Sequence, residues 1–373
     1  MRNILFILGT RPEAIKLAPL ILAMRGTPDL VPVVCNTEQQ RELSTQTLEQ
    51  FGISADIRLD AMTPNQTLAN LNARLLALLQ DVFAARHFDA AIVQGDTMSV
   101  FAGACASFYN GVPVFHVEAG LRSFDLAEPF PEEALRQMAT RICSLHFPPT
   151  QRALDNLLAE GVRAKSAILT GNTVVDALHR IPKPVASAAR ESLAERGVSL
   201  SDHPVLVTVH RRENHGQRLD HILNALSELL TLFPKRQFAL PVHPNPNVRE
   251  KVTSRLSKFA NALLLPPLDY PGLVELQRAA HLILTDSGGI QEEAPTFGAP
   301  VLVLRYETER PEGVAAGFAR LVGADEEKIV AESKAVLTQT FAATRISTSA
   351  NPYGDGRASE RIIDSIRNFF DTP

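Results

Sequence analysis

Short apolar runs alternate with amphipathic segments along the whole chain, and this alternation constrains the fold more than any other feature. The runs predict buried strands, and the segments between them, such as 12–24 and 68–83, repeat apolar residues at helical spacing. The predicted strands are 4–8, 31–34, 90–93 and 112–117 in the first half, and 205–209, 238–242, 262–265, 282–285 and 301–304 in the second. Strict alternation indicates parallel sheets joined by right-handed helical crossovers.

The chain is too long for one ordinary core, since 373 residues suit two domains of about 150–190 residues each. The proline-containing segment 181–202 is the predicted joint. We expect two doubly wound, Rossmann-like α/β domains facing each other across a cleft, an N-terminal one over 1–170 and a C-terminal one over 171–354. The C-terminal helix within 355–373 is predicted to pack back on the first domain. Ligands of such sheets bind outside the carboxyl ends of the strands.

Composition excludes several classes of function. The net charge of −4 gives no electrostatic reason to bind nucleic acid or an anionic membrane. The first apolar run, 4–8, is too short for a signal peptide or a membrane span. Cys35, Cys105 and Cys143 lie far apart in apolar surroundings, which predicts reduced thiols in a cytoplasmic protein and no metal site.

The segment 282–293 points most directly to a ligand. A predicted strand runs into Gly288 and Gly289 and then into a helix with Glu292 and Glu293 in its first turns. A helix N-terminus preceded by glycines presents backbone N–H groups to a phosphate. Neither a Walker loop nor a dinucleotide fingerprint is present, so we expect a diphosphate bound without metal or nicotinamide, with one of the two glutamates on a ribose. The alternative is an ordinary Gly-Gly turn before an acidic first turn.

The first strand also ends at a predicted helix N-terminus. Gly9 permits a tight turn, Pro12 suits the first helical turn, and Arg11 stands at the positive end, with Lys16 one turn later. This pattern favours an anion, although a capped helix with surface charges would look the same. Arg310, after the 301–304 strand, offers a further cation for acids or phosphates.

Acidic residues follow two more predicted strands. Asp96 and Glu118 each end a buried strand, and Glu132 lies in a proline-stiffened loop. Carboxylates close to one another and to apolar walls suit acid–base catalysis, whereas a single strand-end Asp is often only a helix cap. His210, at the end of the 205–209 strand, is a candidate cationic group on the opposite side of the expected cleft.

Eight separated motifs occur in order: Gly-Thr-Arg-Pro-Glu-Ala-Ile-Lys (9–16), Gly-Asp-Thr (95–97), His-Val-Glu-Ala-Gly-Leu-Arg (116–122), Pro-Glu-Glu (131–133), Thr-Gly-Asn-Thr-Val-Val-Asp-Ala (170–177), His-Arg-Arg-Glu-Asn (210–214), Thr-Asp-Ser-Gly-Gly-Ile-Gln-Glu-Glu-Ala-Pro (285–295) and Asn-Pro-Tyr-Gly-Asp-Gly (351–356). Together they resemble the non-hydrolysing UDP-N-acetylglucosamine 2-epimerases over essentially the whole chain. The resemblance implies a glycosyltransferase-B architecture, a homodimer and no cofactor. It also implies reversible, cofactor-free conversion of UDP-N-acetylglucosamine to UDP-N-acetylmannosamine for bacterial surface polysaccharide synthesis, through elimination of UDP to a 2-acetamidoglucal and re-addition.

The resemblance also implies roles for individual residues. The acid–base set would be Asp96, Glu118 and Glu132, with His210 beside the leaving group. The UDP-binding residues would be Arg11, Lys16, Ser287, Gly288, Gly289, Glu293 and Arg310. In some family members a second substrate molecule activates the enzyme; Gln39 and His243 fit that site, but Glu42 and Asn65 depart from its pattern. We therefore expect such activation to be weak or absent here.

Other departures keep alternatives open. Gln94 stands where the family commonly has His, and Glu128 and Phe130 alter the loop before Glu132. An epimerase for another UDP-2-acetamido sugar is one alternative, and a hydrolysing epimerase that releases free N-acetylmannosamine is a second. A glycosyltransferase or a catalytically silent nucleotide-sugar binding protein are more distant ones.

Overall fold

The chain forms two compact units, which a computed structural model describes over residues 1–242 and 245–371. The first unit is Met1–Arg180 together with Tyr353–Pro373, and the second is Ile181–Pro352. Each contains one six-stranded sheet whose neighbouring strands are all parallel. The prediction of two doubly wound α/β units is confirmed.

The sheet of the first unit has the strand order β3-β2-β1-β4-β5-β6. Its strands are β1 (Arg2–Leu8), β2 (Leu30–Asn36), β3 (Ile57–Arg58), β4 (Ala90–Gln94), β5 (Val114–Val117) and β6 (Leu145–Phe147). The helices around it are α1 (Arg11–Arg25), α2 (Arg41–Gln50), α3 (Leu68–Ala85), α4 (Met98–Tyr109), α5 (Glu132–Ile142), α6 (Gln151–Ala159) and α7 (Thr173–Arg180).

The sheet of the second unit has the order β12-β11-β10-β7-β8-β9. Its strands are β7 (Val205–Thr208), β8 (Phe238–Pro241), β9 (Ala262–Leu265), β10 (Leu282–Thr285), β11 (Val301–Val303) and β12 (Ala319–Leu321). Its helices are α8 (Lys183–Glu195), α9 (Gln217–Leu232), α10 (Pro246–Leu256), α11 (Tyr270–Ala279), α12 (Gly288–Glu293), α13 (Pro311–Ala315), α14 (Glu326–Leu337) and α15 (Phe341–Thr344).

Burial explains why the strands read as continuous apolar runs. Residues 4–8 of β1 are completely buried, because helices cover both faces of a parallel sheet. Helix α3 instead buries one stripe, formed by Leu71, Leu75, Leu79 and Val82. Strands β3, β6 and β12 were not predicted, since runs of two or three residues carry too little periodicity to be recognised.

The last helix, α16 (Ala358–Asp371), belongs to the first unit and packs on α1 and α7. The buried carboxylate of Asp176, on α7, accepts hydrogen bonds from the backbone N–H groups of Ala358 (3.1 Å) and Ser359 (2.8 Å). It thereby satisfies two of the donors that a helix N-terminus leaves open.

In each sheet the strand order reverses once, between β1 and β4 in the first unit and between β7 and β10 in the second. The loops that follow these four strands lie where ligands of doubly wound sheets bind. In the described part of the chain, no helix is long and apolar enough to cross a membrane.

Candidate active site

The N-terminus of α1 is occupied by a side chain of the same helix. Glu13 is buried, and its carboxylate accepts hydrogen bonds from the N–H groups of Gly9 (2.6 Å) and Thr10 (2.9 Å) and from the Thr97 hydroxyl. Burial raises the pKa of Glu13 despite these donors. The N–H groups of Gly9 and Thr10 are thus bonded to a carboxylate of the protein itself, as in the alternative of a capped helix, and the Arg11 side chain at the start of α1 is exposed.

Lys16 and Glu118 form a nearly buried ion pair, with side chains 9% and 8% exposed. The Gln94 amide donates to the same Glu118 oxygen at 3.0 Å. Glu118 follows β5 with a φ of +63°, in the left-handed backbone region. The structure thus pairs Lys16, expected among the UDP ligands, with one of the expected catalytic acids.

Asp96, after β4, is paired with a residue on α5. Arg136 donates to the Asp96 carboxylate at 2.6 Å and lies 3.2 Å from the buried Glu133 carboxylate. Glu133 also accepts from the N–H groups of Ser123 (3.0 Å) and Phe124 (3.2 Å). Burial alone would raise the pKa of Glu133, but these donors and Arg136 hold it below its usual value.

Glu132, the third expected acid, begins α5 one turn before Arg136. Within the described residues it makes no ion pair and no hydrogen bond through its carboxylate. The structure therefore places Asp96, Glu118 and Glu132 in one unit, at the carboxyl ends of β4 and β5 and at the start of α5. The roles of Glu133 and Arg136 were missed; the doubled glutamate of the Pro-Glu-Glu motif was the available signal.

His116 supports the loop that carries Asp96. It is 1% exposed, and its Nε2 lies 2.7 Å from the Gly95 carbonyl oxygen, so Nε2 is assigned as the protonated nitrogen. Burial lowers the pKa of His116 to about 3. A neutral imidazole thus fixes the turn between β4 and α4.

Gln39, one residue of the expected second-substrate site, contacts a neighbouring helix. Its amide oxygen accepts from the Ser99 hydroxyl (2.9 Å) and the Ser99 N–H (3.3 Å). His243, the other residue, lies outside the described residues. Glu42, which departs from the family pattern, is exposed on α2.

In the second unit, His210 is held by a buried carboxylate, Asp286, to which no role was assigned from the sequence. His210 Nδ1 lies 2.8 Å from Asp286 Oδ1, and Asp286 is fully buried. The N–H groups of His210 (3.0 Å) and Arg211 (2.9 Å) and the Asn214 amide (3.0 Å) donate to Asp286 Oδ2. Burial would raise the pKa of Asp286, but His210 and the backbone donors hold it below its usual value.

The glycine motif after β10 begins α12 as predicted, with Ser287 at the N-cap. A Cβ at Gly288 would lie 3.1 Å from the Arg310 guanidinium carbon, so this guanidinium lies directly against the helix start. Arg310 donates to Glu292 at 2.8 Å and to Glu309 at 3.3 Å. The structure therefore brings Ser287, Gly288 and Arg310 together and pairs Arg310 with carboxylates.

The two glutamates of α12 have different partners. Glu292 is 2% exposed and pairs with Arg310, whereas Glu293 is 6% exposed and accepts from the Gln277 amide at 2.6 Å. A Cβ added at Gly289 would lie 3.9 Å from Ser287 Oγ and 4.0 Å from Glu293 Oε1. Among the residues that the structure describes, no group of three or more His, Cys, Asp or Glu side chains forms a metal-binding cluster.

The sequence matches one known protein family over most of its length. A model of the family described as UDP-N-acetylglucosamine 2-epimerase matches residues 22–367. The chain belongs to this family. UDP-N-acetylglucosamine 2-epimerase of Escherichia coli strain K12 is 44% identical over 370 residues, covering 98% of both chains. The enzyme of the same name from Neisseria meningitidis serogroup A is 40% identical over 367 residues, covering 98% of this chain and 99% of its own.

Solved structures of epimerases agree with the fold. The Neisseria meningitidis UDP-GlcNAc 2-epimerase bound to UDP-GlcNAc has a TM-score of 0.88 at 39% identity, covering 98% of this chain and all of the other. The Methanocaldococcus jannaschii UDP-GlcNAc 2-epimerase in complex with UDP-GlcNAc and UDP has a TM-score of 0.82 at 31% identity, covering 98% and 99%. The family resemblance inferred from the eight motifs is confirmed.

Proposed function

We propose that this protein interconverts UDP-N-acetylglucosamine and UDP-N-acetylmannosamine without hydrolysing them. The observation that carries the proposal is the match, over 98% of the chain and with a TM-score of 0.88, to an epimerase bound to UDP-GlcNAc. The arrangement of acids at the strand ends of the first unit and of a glycine-led helix in the second supports the same chemistry. We further propose a homodimeric enzyme whose product enters surface polysaccharide synthesis.

The proposed reaction is an elimination followed by an addition. A base takes the proton from C2 of the sugar while the C1–O bond breaks, which leaves a 2-acetamidoglucal and UDP with its electron pair. A proton then returns to C2 from the opposite face, and UDP adds back to C1. No atom is lost overall and no oxidant is needed, so carboxylates and a diphosphate site supply all the required groups.

The residues of the first unit suit the proton transfers. Arg136 contacts the Asp96 carboxylate and Lys16 contacts the Glu118 carboxylate, so a neighbouring cation holds each of these acids in place. Glu132 is half-buried at the start of α5. We assign these three acids to proton removal and proton return at C2.

The residues of the second unit suit the leaving group. We assign the His210 imidazole, whose Nδ1 is held by Asp286, to the departing diphosphate. The N-terminus of α12 and Arg310 favour negative charge at Ser287, Gly288 and Gly289. We assign Glu293 to the ribose, and Arg11 of the first unit to the diphosphate.

The test is proton NMR of the purified protein with UDP-N-acetylglucosamine in deuterium oxide, with no cofactor added. We expect UDP-N-acetylmannosamine with deuterium at C2, because the C2 proton is removed and a deuteron from an acid that has exchanged with the solvent is added in its place. Release of free N-acetylmannosamine would show a hydrolysing enzyme instead. An unchanged spectrum would overturn the proposed substrate, and other UDP-2-acetamido sugars would then be tried in the same assay.

A further inference from the structure

Five side chains of alternating charge are joined by ion pairs in the second unit: Glu213, Arg305, Glu309, Arg310 and Glu292. We call this series the ion-pair chain. Arg305 contacts Glu213 through Nε and lies 3.0 and 3.3 Å from the two Glu309 oxygens. Glu309 also accepts from Arg310 at 3.3 Å, and Arg310 Nε donates to Glu292 at 2.8 Å. The chain therefore joins the segment after β7, the loop after β11 and helix α12.

The two ends of this chain lie beside the groups proposed to hold the diphosphate. Glu213 precedes Asn214, whose amide donates to Asp286, the partner of His210. Next to the other end, which is Glu292 of α12, the Arg310 guanidinium lies against Gly288. Arg305, only 9% exposed, is the cation through which both ends are connected.

The backbone beside Arg310 is fixed as well. The Arg310 N–H donates to the Thr308 hydroxyl at 3.1 Å, and that hydroxyl donates to the Gln291 amide oxygen at 2.7 Å. The Gln291 amide in turn donates to the Ser287 carbonyl at 3.2 Å. The loop after β11 is thus bonded to the first turn of α12 through side chains as well as through the ion pairs.

The net charge of the ion-pair chain does not attract a diphosphate. It contains three carboxylates and two guanidinium groups, so it carries an excess negative charge, which by itself would repel a diphosphate. Its value to an anion site must therefore be geometric. A long arginine side chain that is already fixed loses less conformational freedom when it binds a ligand.

We propose that Arg305 and Glu309 are positioning residues of the diphosphate site, which hold the Arg310 guanidinium against Gly288 before UDP binds. Burial would raise the pKa of Glu309, but Arg305 and Arg310 lower it to about 2, so this carboxylate stays ionised at neutral pH. This inference rests on the proposed function, because it takes Arg310 as a ligand of UDP.

The test is calorimetric titration of UDP into the protein of 373 residues and three variants: Glu309→Gln, Arg310→Ala and the double variant. We expect Glu309→Gln to weaken UDP binding about tenfold, the effect of losing one charge-assisted contact. If Glu309 acts through Arg310, the double variant should bind UDP with the same affinity as Arg310→Ala, because Glu309 can contribute nothing once the Arg310 guanidinium is absent. Glu307→Gln, which removes the same charge from an exposed position of the same loop, is the matched control and should bind as the wild type does.

Three results would overturn the inference while the wild type binds UDP normally. They are equal affinities for Glu309→Gln and Glu307→Gln, tighter binding by Glu309→Gln, and independent losses that multiply in the double variant. If Glu309→Gln does not fold, Arg305→Lys serves instead, since an ammonium cannot contact Glu213 and both Glu309 oxygens together. We expect this variant also to bind UDP about tenfold more weakly than the wild type. A wild type that does not bind UDP would remove the proposed function and this inference together.

Discussion

Asp286 and His210 form a pair in which a fully buried carboxylate holds Nδ1 of a half-exposed imidazole at 2.8 Å. Two backbone N–H groups and the Asn214 amide donate to the same carboxylate. The pair resembles the orienting half of a catalytic triad in its physical logic, because the carboxylate fixes both the tautomer and the direction of the ring. Its position after β7 and β10 is the place where the strand order reverses.

Asp286→Asn should lower epimerase turnover by about 10²-fold, the usual contribution of a positioned acid–base group. An amide can present N–H rather than an acceptor oxygen to Nδ1 and cannot balance a charge on the ring. Asp325→Asn is the control, because Asp325 caps α14 and Asn caps helices equally well. Steady-state kinetics in which Asp286→Asn matched this control would remove Asp286 from the mechanism.

Lys16→Met should lower the free energy of unfolding by about 3 kcal/mol, because it leaves the Glu118 carboxylate nearly buried without its cation. The double variant Lys16→Met/Glu118→Gln should recover most of that stability and still lack turnover. Urea unfolding and kinetics on the same samples separate the two effects.

The exposed pair of Arg320 and Glu332 provides the comparison for that prediction, since the Arg320 side chain is 63% exposed. Arg320→Met should change stability by no more than about 1 kcal/mol. Equal decreases in the free energy of unfolding for Lys16→Met and Arg320→Met would show that burial does not determine how much the Lys16–Glu118 pair contributes to stability.

Arg11→Ala should weaken UDP binding about tenfold, as expected for one charged contact to a phosphate. Glu13 already takes the N–H groups of Gly9 and Thr10, so the attraction for an anion at this helix end must come from the Arg11 side chain. Arg25→Ala, at the far end of α1, is the matched control. Unchanged calorimetric affinity for Arg11→Ala would exclude it from the diphosphate site.

The sequence was sufficient to predict which strand ends carry polar side chains, because apolar runs and the residues that follow them are local signals. It was not sufficient to predict partners. Lys16 and Glu118 are separated by 102 positions, and His210 and Asp286 by 76, so their pairing depends on which strands become neighbours. Glu13 is a different case, because Thr10 and Glu13 have the spacing of a capping box, a local signal for a carboxylate that folds back onto the N-terminus of α1.

Stability should fall in mild acid because His116 is buried in its neutral form. Its pKa in the folded protein is lowered to about 3 by burial, with smaller contributions from His146, Arg122 and Arg136, whereas an unfolded chain binds a proton near pH 6.5. The unfolded state therefore binds more protons between these two values, and the free energy of unfolding decreases as the pH falls through this window. For this one residue the loss between pH 7 and pH 5 is about 2 kcal/mol.

His116→Gln should remove that part of the pH dependence, because the Gln amide still donates to the Gly95 carbonyl but does not titrate. The measurement is urea unfolding at pH 7 and pH 5 for the wild type, His116→Gln and His87→Gln. His87 is exposed, so its replacement should leave the wild-type pH dependence intact. If the stability of His116→Gln still fell between pH 7 and pH 5 as steeply as that of the wild type, other groups would account for the acid sensitivity and the buried neutral imidazole would not.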